Sequence, residues 1–129
     1  MTQITPKPVR IPDTGAVREI FDRIGDKWSL LLIGTLHDAP LRYGELKDAI
    51  PGISQRMLTR TLSNLVEDGL VTRTAYAEVP PRIEYALTDL GRTLLPMVAD
   101  LAEWAMAHRD EINANRTSRG RVADDSAAE

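Results

Sequence analysis

A mainly helical α+β fold is predicted by three patterns in the sequence. Apolar residues recur at helical spacing through most of residues 14–66, alternate over 70–87 as in a hairpin, and return to helical spacing after Thr88. The 129 residues fit one domain around one core, and a 43% hydrophobic content can fill it. Residues 1–13, with Pro6, Pro8 and Pro12, and residues 117–129, polar and finally acidic, read as flexible tails flanking a body over 14–116.

The first helix carries Val17, Ile20, Phe21 and Ile24 on one face, with Asp13 or Thr14 as N-cap and Gly25 as its end. The second, Lys27 to His37, has Trp28, Leu30, Leu31, Leu32, Ile33 and Leu36 on nearly every side, the pattern of a centrally buried helix. After the turn Asp38-Ala39-Pro40, Tyr43, Leu46 and Ile50 mark a short third helix closed by Pro51-Gly52, and this spacing assigns Tyr43 to the core. Ser54 opens a fourth helix over 54–68. Its buried stripe is Leu58, Leu62, Leu65 and Val66, while Arg56, Thr59, Arg60 and Ser63 point away; Met57 at the third helical position leaves no capping box. Strands over Leu70–Tyr76 and Arg82–Leu87 flank a proline-stiffened tip. Thr88 then caps a long last helix bearing Leu90, Leu94, Val98, Leu101 and Ala105, which Pro96 kinks or divides.

Composition narrows the chemistry. There is no cysteine, which removes disulfides, thiolate ligands and thiol redox sensing, and no stretch approaches the roughly 18 apolar residues of a membrane span. Residues 1–13 lack the apolar run of a signal peptide, so a cytoplasmic location and no membrane association are expected. The two histidines, His37 and His108, stand in no metal or general-base arrangement, and neither a phosphate loop nor paired carboxylates occur. No enzyme activity, metal or cofactor is expected. The net charge of −3 is unlike a basic DNA binder, but Arg42, Lys47, Arg56, Arg60, Arg73 and Arg82 concentrate in the middle of the chain.

Two helices joined by a tight turn and followed by a hairpin have the layout of a winged helix-turn-helix DNA reader. In that layout the fourth helix enters the major groove. Its N-terminus, with Ser54, offers N–H groups to phosphate, and Gln55, Arg56, Thr59 and Arg60 offer groups to base edges. Arg42 and Lys47 on the preceding helix are candidate phosphate contacts, and Arg82 on a wing over 76–82 is a candidate contact to flanking DNA. Each has a plainer alternative: a solvated helix face, a surface ion pair, a loop arginine without a partner. A winged-helix module that binds protein instead of DNA is the rival reading, although the fourth helix lacks the aromatic anchors such a surface usually shows.

The order and spacing of several strings resemble the HxlR-type winged helix-turn-helix regulators, a bacterial family related to the MarR-like regulators. These are Ile24-Gly25-Asp26-Lys27-Trp28-Ser29-Leu30-Leu31, Arg42-Tyr43-Gly44-Glu45-Leu46, Pro51-Gly52-Ile53-Ser54-Gln55-Arg56-Met57-Leu58, Leu62 with Leu65, Gly69-Leu70-Val71 and Glu78-Val79-Pro80-Pro81-Arg82-Ile83-Glu84-Tyr85-Ala86-Leu87-Thr88, followed by Gly91. The resemblance covers about Val17 to Trp104. It implies a transcription factor that binds double-stranded DNA as a homodimer, with a recognition helix, a wing, and first and last helices forming the dimer interface. Val17, Phe21, Leu94, Leu101 and Trp104 are the residues expected there, unless they simply cover the monomer's own core. A two-fold dimer would set its recognition helices roughly 34 Å apart. Many members carry a cysteine near the position of Gly15, which this chain lacks. The resemblance then favours, as trigger, a small-molecule effector bound between the DNA-binding body and the dimerisation helices.

Overall fold

The computed structural model of the protein describes residues 13–127. Residues 1–12 of the expected N-terminal tail lie outside them. Asp13 belongs to the fold as the N-cap of α1 (Thr14–Ile24), its carboxylate accepting from the Ala16 N–H at 3.1 Å. Gly25 closes α1 through a 2.7 Å bond from its N–H to the Phe21 carbonyl. Asp26 caps α2 (Lys27–Thr35): it accepts from the N–H groups of Trp28 and Ser29, both at 3.0 Å, and from the Ser29 hydroxyl at 2.7 Å. That bond satisfies the hydroxyl of a buried polar residue.

Helix α2 is the centre of the molecule. Leu32 and Ile33 are fully buried, and the helix touches α1, the helices that follow and the last helix of the fold. The chain then forms a two-residue strand β1 (Leu41–Arg42), α3 (Tyr43–Ala49) and α4 (Gln55–Glu67), and the hairpin of β2 (Val71–Tyr76) and β3 (Arg82–Leu87). The antiparallel sheet has the order β1-β3-β2, with Leu41 opposite Tyr85 and Val71 opposite Leu87. The expected hairpin is therefore the larger part of a three-stranded sheet. Two residues are too few to display strand alternation, and β1 exists because β3 offers it an edge to pair with.

The last helical region divides, as Pro96 suggested. Thr88 caps α5 (Asp89–Arg92), accepting from the Gly91 N–H at 3.0 Å and donating its hydroxyl to the Gly69 carbonyl at 2.6 Å. Helix α6 (Leu95–Ala127) begins just before Pro96, in the first turn, where the missing N–H of proline costs no helical bond. Its backbone is helical through Ala127, so the segment from Thr117 continues the helix where a flexible tail was expected. Polar, small and charged residues are compatible with a solvated helix as well as with coil, and no proline interrupts this stretch. At 33 residues α6 is about 50 Å long. Among the described residues no helix is long and apolar enough to cross a membrane.

The core joins Leu32, Ile33 and Leu36 of the α2 region to Leu46 and Ile50 of the α3 region, Leu58, Leu62 and Leu65 of α4, and Val71 and Leu87 of the sheet. Gly91 is where α5 meets the start of β2: a Cβ there would collide with the Leu70 carbonyl oxygen and press on the Leu87 side chain. Gly44, in α3, has open space around it. Gly91→Ala is therefore expected to destabilise the fold by about 1–3 kcal/mol. Gly44→Ala should instead raise stability by up to about 1 kcal/mol through helix propensity. Denaturant midpoints moving in opposite directions are the expected result; equal shifts would contradict the close approach at Gly91.

Candidate nucleic-acid interface

The turn between α3 and α4 fixes where the exposed face of α4 begins. Gly52 takes φ +84, a left-handed conformation that favours glycine, and buried Ile53 anchors the turn, its N–H donating to the Ile50 carbonyl at 3.3 Å. Ser54 is the N-cap of α4, its hydroxyl accepting from the Met57 N–H at 3.1 Å. With Leu58, Thr61, Leu62 and Leu65 turned into the body, Gln55, Arg56, Thr59, Arg60, Ser63 and Asn64 line one shallow, open surface. Four of the expected site residues thus share a face, with Ser54 at its head. Ser63 and Asn64 extend it, and the helical spacing that finds Arg56 and Arg60 also finds them.

Arg42 and Lys47 are both exposed at opposite ends of α3. Arg42 is the N-cap position of that helix, and its backbone N–H donates to the Glu45 carboxylate at 2.9 Å. Tyr43 packs part of its ring against the core, as its spacing implied, and adds a polar role that spacing does not reveal. Its hydroxyl lies 3.0 Å from the Gln55 carbonyl and 3.1 Å from the Thr59 hydroxyl, so the start of α3 is held against the first turn of α4. That places Arg42 beside the N-terminal end of the α4 face.

Arg82 is not the partnerless loop arginine that is the plainer alternative to a DNA contact. Its guanidinium folds over the Tyr76 ring at 4.1 Å and pairs with Glu78 at 3.2 Å and Glu84 at 3.5 Å. It is half-buried and braces the hairpin, with its charge opposed by two carboxylates. The exposed cation of the hairpin is Arg73 on β2, which borders the same hollow as Thr59 and Ser63. Arg42, Lys47, Arg56, Arg60 and Arg73 pair with no carboxylate among the described residues.

A further arginine, absent from the sequence-based set, governs the far end of α4. Arg23 of α1 sets its Nε 2.7 and 2.8 Å from the two Asp68 carboxylate oxygens, and its Nη2 lies 3.4 Å from Glu67. Hydrogen bonding to Asp68, its charge and that of Glu67 hold the Arg23 pKa above the usual arginine value. Acidic residues are unfavourable at a helix C-terminus and towards phosphate, and Arg23 opposes both effects. Of the residues expected at a dimer interface, Phe21, Leu101 and Trp104 are exposed, Val17 is half-buried, and Leu94 packs against the body's own core. The exposed apolar surface also includes Ile20, Leu31, Met97 and Met106. His37 caps locally, its Nδ1 2.7 Å from the Gly34 carbonyl oxygen, and His108 stacks on Trp104 with ring centroids 4.7 Å apart.

The chain is similar to several proteins described as regulators. The HxlR-like helix-turn-helix family matches residues 23–113. The chain is 44% identical over 103 residues to the uncharacterized HTH-type transcriptional regulator YybR of Bacillus subtilis, covering 80% of this chain and 82% of YybR. Among solved structures, a putative MarR-family transcriptional regulator from Porphyromonas gingivalis W83 is similar with a TM-score of 0.69 and 43% identity, over 76% of this chain and 97% of that one. The redox regulator HypR in its reduced form is similar with a TM-score of 0.70 and 41% identity, over 77% of this chain and 98% of HypR. With the winged helix-turn-helix fold, the exposed cationic face of α4 and these similarities together, the chain belongs to the HxlR-like helix-turn-helix family of DNA-binding transcriptional regulators.

Proposed function

We propose that the protein regulates transcription as a homodimer, with α4 of each protomer in the major groove of double-stranded DNA and the hairpin tip over 76–82 against flanking DNA. The observation that carries this reading is the α4 face itself: Arg56 and Arg60 stand exposed beside Gln55 and Thr59, unpaired among the described residues, on a helix fixed by its buried stripe. Ser54 and the helix N-terminus meet a phosphate, Arg42 and Lys47 hold register, and Arg56 and Arg60 reach base edges. On the wing, Arg73 supplies the free charge while Arg82 keeps the tip rigid.

Self-association is supported by a stripe on α6. Met97, Leu101 and Trp104 recur at helical spacing and are 60%, 53% and 54% exposed, and Ile20 and Phe21 of α1 are exposed large apolar residues as well. A small-molecule effector has a fitting place in an apolar cavity of about 380 Å³ lined by Ile20, Ile24, Leu70, Leu90 and Leu94, with the Arg23–Asp68 pair at its edge. Absence of cysteine from the 129 residues leaves no thiol to carry a redox signal of the kind named for HypR.

Affinity for a selected operator should fall by orders of magnitude when salt rises from about 50 to 200 mM, because each neutralised phosphate releases counterions. Binding indifferent to salt would favour the protein-binding alternative. Arg56→Ala and Arg60→Ala should each cost about 1–3 kcal/mol and relax base preference, whereas Lys47→Ala should weaken all sequences alike and flatten the salt slope. Competition titrations against operator and scrambled duplexes separate the two effects; uniform loss for both arginines would reassign them to the phosphate backbone. Leu101→Glu should yield a folded monomer by sedimentation that no longer protects a two-fold site, and a retained dimer would exclude the α6 stripe as its interface.

A further inference from the structure

Tyr43 meets the Thr59 hydroxyl on the exposed face of α4. Three oxygens meet here: the Tyr43 hydroxyl is 3.0 Å from the Gln55 carbonyl and 3.1 Å from the Thr59 hydroxyl. A carbonyl has no proton, and each hydroxyl has one. Either hydroxyl can donate in the contact between them; when the phenol's single proton goes to the Gln55 carbonyl, that contact is bridged by the proton of Thr59. In that arrangement the chain of donation runs from Thr59 to Tyr43 to Gln55 and leaves Thr59 with lone pairs but no proton to give.

We infer that the phenol donates to the Gln55 carbonyl and accepts from Thr59, so that Tyr43 is a positioning residue that makes Thr59 a hydrogen-bond acceptor and α4 selects a base presenting an amino group in the major groove, adenine or cytosine, opposite Thr59. Guanine N7 and O6 and thymine O4 are acceptors and would face the Thr59 oxygen unpaired. This rests on α4 being the element that enters the groove. A tyrosine at this position is suited to the task because its ring is held by partial burial against the core while the hydroxyl reaches the α4 face. Phenylalanine would keep that packing and remove the proton acceptor, freeing Thr59 to donate as well as accept.

The test is selection of bound sites from a randomised double-stranded DNA pool by the full chain and by Tyr43→Phe, Thr59→Val and the double variant, with unfolding midpoints and salt slopes measured alongside. The natural chain should prefer adenine or cytosine by about five- to tenfold at one position of each half-site. Tyr43→Phe should relax that one position to accept guanine or thymine, leaving the other positions and the salt slope unchanged. Thr59→Val should lose the preference, and the double variant should match Thr59→Val alone. A merely structural role for Tyr43 would instead shift the unfolding midpoint and weaken every site together. Sequence-specific binding with a Tyr43→Phe profile identical to the natural one overturns this inference and leaves the DNA-binding function standing. No selected sequence at all from the natural chain overturns both.

Discussion

Burial of the Leu58, Leu62 and Leu65 stripe of α4 against the core that α2 supplies is the constraint on which the rest of the molecule depends. These residues are almost fully removed from water, and each is of the size whose burial stabilises a fold by about 1.5–3 kcal/mol. A helix whose stripe is fixed in this way cannot rotate, so the opposite face is fixed as well. The exposure of Arg56 and Arg60 is a consequence of where the leucines went.

Electrostatics act on that geometry locally. The protein carries a net charge of −3, and four carboxylates beside α4 and the hairpin are paired: Asp68 and Glu67 with Arg23, Glu78 and Glu84 with Arg82. Partly exposed pairs of this kind contribute little to stability. Their effect here is local: they offset negative charge at the C-terminal end of α4 and on the hairpin.

The Arg23 pair also ties two separate helices together. Arg23 joins α1, which carries the exposed Phe21, to the C-terminal end of α4, and the apolar cavity opens beside that joint. Helix α6 leaves the body after Val98 packs against Gly34, and beyond this it presents Leu101 and Trp104 to solvent in a single protomer. Arg23 thus gives α1 a direct ionic contact to the end of α4, beside the packing of Ile24 against the core.

The sequence by itself determined the elements and their order: helical spacing located α1 to α4, alternation located the hairpin, Ser54 and Thr88 marked helix starts, and Pro96 marked the division before α6. Such signals act within a turn or two of chain and survive without a fold around them. Tertiary structure decided the pairing of β1 with β3, the continuation of α6 to Ala127, the retreat of Arg82 into its carboxylates, and the reach of Arg23 to a partner 45 residues away. It also gave Tyr43 its bond to Thr59, 16 residues on. For the pairings, spacing along a chain says which face a side chain occupies, while the partner it meets depends on how separate faces are brought together. For α6, polar composition alone does not separate a solvated helix from coil.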